Sequence, residues 1–194
     1  MNIDKDLLST QEVRLLCQKA KDAQLEFKHF SQAQVDSVVS AMVTVGFNEA
    51  ERLAKMAVEE TGFGKIEDKK TKNTFATKSV WESIKDLKTV GIIDVQKNGK
   101  IVKIAEPMGV VAALIPSTNP TSTVMFKAII SLKSRNSIVA SPHPKALNCT
   151  LEAIKVIKEA AIKAGAPEGL IQCMSIPTLE GTDALMKDPN IAVI

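Results

Sequence analysis

Hydrophobic residues recur every three or four positions through the first half of the chain, and this spacing is typical of amphipathic helices. Gly46 predicts the end of the second such helix, and Thr61–Gly64 predicts the end of the third. All eight prolines lie at or after Pro107, which favours helices in the part before it. The pattern predicts a helix capped by Ser9 or Thr10 that runs to about Phe27, one capped by Ser31 with Val35, Val38, Val39 and Met42 on one face, one over Glu49–Glu60, and a basic one over about Lys69–Leu87.

The pattern changes after residue 90. Two short apolar runs flank Asn98-Gly99, and this pair predicts a β-hairpin because both turn positions favour positive φ. From Met108 onward apolar runs alternate with amphipathic stretches, in the order GVVAALIP, Thr121–Leu132, Asn136–Ala140, Leu147–Ala164, LIQCMSI, Leu179–Met186 and IAVI. Strands that alternate with helices predict an α/β fold: a helical N-terminal part and a β-hairpin leading into a Rossmann-like parallel sheet with helices on both faces.

These changes divide the chain into three predicted parts. Residues 1–90 are the helical part, residues 91–106 the hairpin, and residues 107–194 the Rossmann-like part. The sequence stops within the apolar run IAVI, and a domain rarely ends on a buried parallel strand. We therefore expect these residues to be the front part of a longer protein, with the parallel sheet incomplete.

Composition narrows the class of protein. Hydrophobic residues make up 45% of the 194 residues and charged residues 24%, with a net charge of +3, as in ordinary globular proteins. An aromatic content of 4% without Tyr argues against nucleic-acid binding. No apolar run reaches the roughly 18 residues of a membrane span, and a polar N-terminus argues against secretion, so we expect a cytoplasmic protein. Three cysteines without paired spacing and two distant histidines predict no metal site.

Three predicted loops at the carboxyl ends of strands share a composition of prolines and small hydroxyl residues. They are Pro116–Pro120, Ser141–Pro144 and Pro177–Gly181. Parallel sheets usually bind ligands at this edge, so the likeness of the loops indicates one shared site. The chain has no glycine-rich phosphate fingerprint. By motifs alone, nucleotide binding is therefore inferred only by analogy with other proteins of this fold class.

Asn119 has two readings. Asn is a favoured helix N-cap, and Pro120 fits the first helical position. Alternatively, the amide NH₂ donates a hydrogen bond to a developing oxyanion. Both roles are compatible if the amide oxygen faces the helix and the nitrogen faces the ligand.

Other candidates also have a structural alternative. His143, between Pro142 and Pro144, is either a surface turn residue or a nucleotide contact. The basic run Lys69–Lys72 is typical of a solvated helix face. The remaining candidates, Cys149 and Cys173, have no base nearby in sequence and are expected to be core thiols.

Three segments together resemble one family. Glu106–Ala146, which contains PSTNP and SPHP, is similar to CoA-acylating aldehyde dehydrogenases, including the aldehyde dehydrogenase half of bifunctional aldehyde-alcohol dehydrogenases. Leu53–Lys69 and Gly181–Ile194 resemble the same family. The resemblance covers nearly the whole chain, and the pair of loop motifs is specific to the acylating branch.

The resemblance implies an oxidoreductase that interconverts an aldehyde plus CoA and an acyl-CoA with NAD(H), through a cysteine thioester. It implies NAD as cofactor, with NADP as the alternative, CoA as co-substrate, and no metal. It identifies Asn119 with the oxyanion-hole asparagine. The cofactor-binding residues it implies are Leu114, Ile115, Pro116, Ser117, Thr118, Asn119, Ser141, Pro142, His143, Pro177 and Thr178.

The chain also departs from the family pattern. The family's nucleophilic cysteine lies in a later catalytic domain, and neither that domain nor the glycine pair after the IAVI strand is in this sequence. Ser141 stands where non-acylating members carry a lysine. The family further implies a homo-oligomer formed through the 91–106 hairpin, in the cytoplasm or in a bacterial microcompartment. Two rival hypotheses remain: a non-catalytic nucleotide-binding or oligomerisation module, and a reductase of acyl phosphates.

Overall fold

The computed structural model describes residues 4–194, and the first half of this part is helical. A π-helical turn, which often marks a functional region, joins the last two helices of this first half. The elements are α1 Lys5–Phe27, α2 Gln32–Asn48, α3 Ala50–Thr61, α4 Ile66–Thr74, the π-helical turn Phe75–Ser79, and α5 Val80–Ile84.

The second half is an antiparallel hairpin followed by alternating strands and helices. The elements are β1 Gly91–Gln96, β2 Ile101–Ala105, β3 Val110–Ile115, α6 Pro120–Lys133, β4 Ser137–Pro142, a 3₁₀ turn Pro144–Ala146, α7 Leu147–Lys163, β5 Ile171–Cys173, α8 Leu179–Lys187, and β6 Ile191–Val193. Strands β5, β4, β3 and β6 form a parallel sheet in that order. The predicted α/β fold is confirmed.

Helices cover both faces of the sheet because strand side chains alternate between them. On one face, Ala113 and Ile138 pack with residues of α2, α6 and α7. On the other face, Ala112 and Val139 pack with residues of α1 and α8. The helical first part therefore shares its hydrophobic core with the sheet.

The first helix begins earlier than its sequence predicts. Asp4, not Ser9 or Thr10, is the N-cap of α1, and its carboxylate accepts a hydrogen bond from the Asp6 N–H at 2.8 Å. Ser9 is buried and donates to the Ile176 carbonyl at 2.5 Å. The predicted cap was wrong because this serine bonds to a loop that lies 167 residues away in sequence.

Helix α2 confirms its predicted start and corrects its predicted end. Ser31 forms a reciprocal capping box with Gln34. Gly46 does not end the helix, which continues to Asn48. A Cβ at Gly46 would lie 3.0 Å from Thr77 Cγ2, so the glycine permits close packing instead. The stop predicted near Gly62 is confirmed, since this residue caps α3 in the left-handed region, at φ 70°.

Two half-buried glutamates hold together the elements that carry the predicted site. Glu12 of α1 accepts hydrogen bonds from the Ser175 N–H at 2.9 Å and the Ile176 N–H at 3.0 Å, and so fixes the loop after β5. Glu60 at the end of α3 accepts the N–H groups of Asn148 at 2.8 Å and Cys149 at 2.7 Å. The second carboxylate therefore caps the N-terminus of α7, as a helix dipole favours.

Within residues 4–194, each helix is either too short or too polar to cross a lipid bilayer.

Candidate functional site

A cleft of about 520 Å³ lies at the carboxyl ends of β3, β4 and β5. The three predicted loops meet there, as the topology of a parallel sheet requires. Eight of the predicted residues line it: Leu114, Ile115, Pro116, Ser141, Pro142, His143, Pro177 and Thr178. Pro144, Leu179 and Thr182 complete the lining, so the walls combine proline and leucine with a few hydroxyl groups.

The hydroxyl groups of the cleft are held in place by hydrogen bonds to one another and to the first turn of α8. Ser141 Oγ and Thr182 Oγ1 lie 2.8 Å apart. Thr182 Oγ1 also lies 2.8 Å from the Thr178 carbonyl, and the Gly181 N–H donates to Thr178 Oγ1 at 3.0 Å, which caps α8. Apolar walls beside fixed hydroxyls suit a ligand such as adenosine, which has an aromatic base and a ribose. The lining residues thus fit a nucleotide.

His143 is the surface turn residue of the first alternative, and the nucleotide contact stays a prediction. It is exposed, and its Nδ1 accepts the Lys145 N–H at 3.1 Å, which caps the 3₁₀ turn. It also lines the cleft, with Nε2 not engaged by this contact.

Asn119 lies beside the cleft, in a groove of about 500 Å³ between α4 and α6. Asn119 is the N-cap residue of α6, as predicted, with Pro120 at the start of the helix, but its side chain makes no capping hydrogen bond. The predicted position is therefore confirmed, and the predicted capping role of the amide is wrong. Instead Asn119 Oδ1 accepts from Lys72 Nζ at 2.9 Å. Within residues 4–194, Asn119 forms its side-chain hydrogen bond through Oδ1, and none is formed by Nδ2. Phe75 and Phe126 form the apolar part of the groove.

The basic run on α4 is a solvated face at two of its three lysines, and Lys69 is the exception. Lys69 is buried, and its Nζ donates to the Thr118 carbonyl at 2.7 Å. Burial, and then the charge of Lys72, lower the pKa of Lys69. Lys70 and Lys72 fit the prediction, since both are exposed; Lys70 pairs with Glu51 at 2.6 Å. The run therefore carries two lysines that bind the loop Pro116–Pro120.

The other predicted loop residues lie between the cleft and the groove. Ser117 and Thr118 connect Pro116, which lines the cleft, with Asn119, which lines the groove. Another lysine supports the same loop from α6, because Lys127 Nζ donates to the Leu114 carbonyl at 3.1 Å. Burial lowers the pKa of this lysine.

The three thiols are unsuited to nucleophilic attack. Cys17 and Cys149 are buried and Cys173 is half-buried. Burial is the first cause that raises the pKa of each thiol to about 12, with nearby carboxylates, Asp188, Glu60 and Glu12 respectively, adding to it. The expectation that Cys149 and Cys173 are core thiols is confirmed, since a thiol with so high a pKa is protonated at neutral pH.

Sequence reasoning missed two residues of this region. Thr182 is one helical turn after Thr178, and that spacing of hydroxyls was the available signal. Lys72 carried no local signal, because its partner Asn119 is 47 residues away in sequence.

Comparisons with known proteins place the chain in one family. The profile of the aldehyde dehydrogenase family matches residues 5–194. The bifunctional aldehyde-alcohol dehydrogenase of Escherichia coli is 43% identical over 183 residues, which are 94% of this chain and 20% of that protein. An acetylating aldehyde dehydrogenase from Geobacillus thermoglucosidasius superposes with a TM-score of 0.96 at 52% identity, over 98% of this chain and 42% of that one.

A more distant structure carries ligands. Propionaldehyde dehydrogenase from Rhodopseudomonas palustris, solved with bound CoA and an acylated cysteine, superposes with a TM-score of 0.80 at 32% identity, over 92% of this chain and 40% of that one. The chain thus spans a fifth of the length of the curated relative and about two fifths of the length of each solved structure.

Proposed function

This chain belongs to the aldehyde dehydrogenase family, and from that premise we propose that it is the cofactor-binding front part of a CoA-acylating aldehyde dehydrogenase. The reaction converts an aldehyde, CoA and NAD⁺ reversibly into an acyl-CoA and NADH. Relatives named as acetylating enzymes, and one solved with CoA, support the acylating branch. NADP is the alternative cofactor.

One observation carries the proposal: eight residues predicted to bind the cofactor line a single cleft. The buried Ser141 hydroxyl and its partner Thr182 offer hydrogen bonds to a ribose, and the proline walls pack on an adenine. When bound, the nicotinamide ring supplies hydride transfer. The chain's own contribution is to hold the dinucleotide at the carboxyl edge of the sheet.

Asn119 provides the second part of the mechanism. With Oδ1 engaged by Lys72, the Nδ2 group is left to donate to an oxygen that lies in the groove. Such a fixed donor stabilises the oxyanion that forms when a nucleophile attacks the aldehyde carbonyl. Charge on that oxygen grows towards the tetrahedral intermediate, so the bond strengthens in the transition state.

The nucleophile comes, in this proposal, from a segment outside these 194 residues. The three thiols of the chain have a pKa of about 12 and lie in or near the hydrophobic core. The acylated cysteine of the Rhodopseudomonas enzyme supports a thioester route.

The direct test is an assay of acyl-CoA-dependent NADH oxidation by the full-length product of the gene that encodes this chain. Wild-type protein is expected to turn over, and Asn119→Ala is expected to lower kcat by roughly 10²-fold or more, because one oxyanion donor is lost. Asn48→Ala, at the exposed end of α2, is the matched control and is expected to leave kcat unchanged. Full activity of Asn119→Ala would overturn the oxyanion role.

A second candidate function is a non-catalytic nucleotide-binding or oligomerisation module. The protonated core thiols favour it for the described residues, as does the apolar hairpin. The two candidates separate in the same preparation: a full-length product that binds NADH without any turnover of acyl-CoA would support the module and overturn the enzyme.

A further inference from the structure

Helix α4 is tied to the loop before α6 by successive polar contacts. Lys69 Nζ donates to the Thr118 carbonyl at 2.7 Å, and one helical turn later Lys72 Nζ donates to Asn119 Oδ1 at 2.9 Å. Next along the helix, the buried Asn73 Oδ1 accepts from the Thr121 hydroxyl at 2.9 Å. Three side chains of α4 thus bind three of the four residues 118–121.

Two of these contacts hold the stretch on either side of Asn119, one at the Thr118 carbonyl and one at the Thr121 hydroxyl. Asn73 is itself anchored, because its Nδ2 donates to the Ala50 carbonyl at 2.9 Å. Lys69 is enclosed between α4 and the loop. The remaining contact, from Lys72, reaches the Asn119 side chain, and it therefore determines the rotation of that amide.

We propose that Lys72 is a positioning residue that orients the Asn119 amide for oxyanion stabilisation. This inference deepens the proposed function and rests on it. An ammonium group has donors and no acceptor, so only the oxygen of the amide can face it. The opposite rotation would bring Nδ2 against the ammonium and lose the bond. Lys72 thereby holds the Asn119 N–H bonds away from α4.

The charge of Lys72 adds to its geometric effect. An ammonium bound to Oδ1 polarises the amide and makes its N–H groups stronger donors, as in other hydrogen-bonded chains. The bond is charge-assisted, which makes it stronger than one between neutral groups. Lys72 needs no contact with the substrate to act in this way.

Lys70 on the same helix provides a matched control. It is also a lysine, but it points to Glu51, with which it pairs at 2.6 Å. Removal of its charge changes the net charge of α4 by the same amount as removal of Lys72. Any effect specific to Lys72 therefore reports its contact with Asn119.

The kinetic test is a double-mutant cycle in the full-length gene product, with Lys72→Met, Asn119→Ala and both together. Lys72→Met is expected to lower kcat roughly tenfold, the loss of one charge-assisted hydrogen bond, while KM for NADH stays within about twofold. The double variant is expected to be no slower than Asn119→Ala alone, because Lys72 acts through that amide. Lys70→Met is expected to leave kcat unchanged. Unchanged kcat in Lys72→Met, or effects that multiply in the double variant, would overturn the inference.

A spectroscopic test separates this inference from the proposed function. In the ¹⁵N-labelled gene product, the side-chain NH₂ signal that disappears in Asn119→Ala identifies the amide. This signal is expected to shift in Lys72→Met and to stay in place in Lys70→Met. A protein without turnover in which the signal still responds to Lys72 would overturn the proposed activity alone. If the Asn119 NH₂ signal does not shift in Lys72→Met, the positioning role is overturned, whether or not the protein is active.

Discussion

At the residue scale, the loop Pro116–Pro120 shows how a side chain gains a role through its partners. Local rules favour Asn119 as the cap of α6, yet its oxygen binds Lys72 and the helix starts without a side-chain cap. The amide nitrogen is consequently left as a donor in a groove with apolar walls. Asn119 is half-buried, and a hydrogen bond in surroundings less polar than water is stronger than one in bulk solvent.

The thiols give a prediction at the same scale. At pH 8 a thiol with a pKa of about 12 is ionised in roughly one molecule in ten thousand. The native chain is therefore expected to react very slowly with Ellman's reagent at pH 8, while the unfolded chain reacts rapidly at all three cysteines. Because the raised pKa suppresses the thiolate, the native reaction is expected to accelerate about tenfold per pH unit above pH 8. Rapid labelling of one thiol in the folded protein would contradict this account.

At the element scale, α7 depends on a carboxylate from another helix. Glu60 accepts two N–H groups at the N-terminus of α7, at 2.8 and 2.7 Å. Glu60→Ala is expected to lower the free energy of unfolding by about 1 to 2 kcal/mol, as for loss of an N-cap. Glu59→Ala, one position earlier and exposed, is the control and is expected to have no measurable effect. Urea denaturation of both variants checks this, and equal losses would contradict it.

The hairpin gives a second prediction at this scale. Its register places Ile92 opposite Ile104 and Val95 opposite Val102, and a bulge after Ile92 brings the two pairs to one face. Ile92 and Ile104 are 59% and 58% exposed. An apolar sheet face of this kind fits a contact between copies of the chain.

The double variant Ile92→Lys, Ile104→Lys is expected to lower the oligomeric state of the full-length product, since charges on this face oppose its burial. Size-exclusion chromatography with light scattering measures the mass. Lys97→Glu, in the exposed turn, serves as the charge control and is expected to keep the wild-type mass. An unchanged mass in the double variant would exclude this face as the subunit contact.

Local signals predicted some elements well and others poorly, for physical reasons. The Ser31 capping box and the Gly62 stop depend on residues within one turn, so the sequence contains them. Gly46 was misread because its reason is a neighbour on another element, Thr77. Lys69 was misread because lysine is seldom buried, and only the loop that it binds explains the exception.

At the scale of the whole molecule, the parallel sheet converts separate loops into one site. Alternating strands and helices place the carboxyl ends of β3, β4 and β5 at one edge, so the predicted cleft followed from the order of elements. The groove beside it did not follow, because it requires α4 to pack against α6 across a long stretch of sequence. Fold and cleft were thus predictable, while the surroundings of Asn119 were not.

Titration of NADH into the full-length gene product tests the central claim most directly, because the cleft is the observation on which it rests. Leu114→Asp places a negative charge in the cleft wall, at a side chain that is 40% exposed, and Leu25→Asp on α1, 42% exposed, is the control. Repulsion of the dinucleotide phosphates is expected to raise the Kd for NADH at least about tenfold in Leu114→Asp and less than about twofold in Leu25→Asp. Equal Kd values in wild type and Leu114→Asp would contradict the assignment of the cleft to the cofactor.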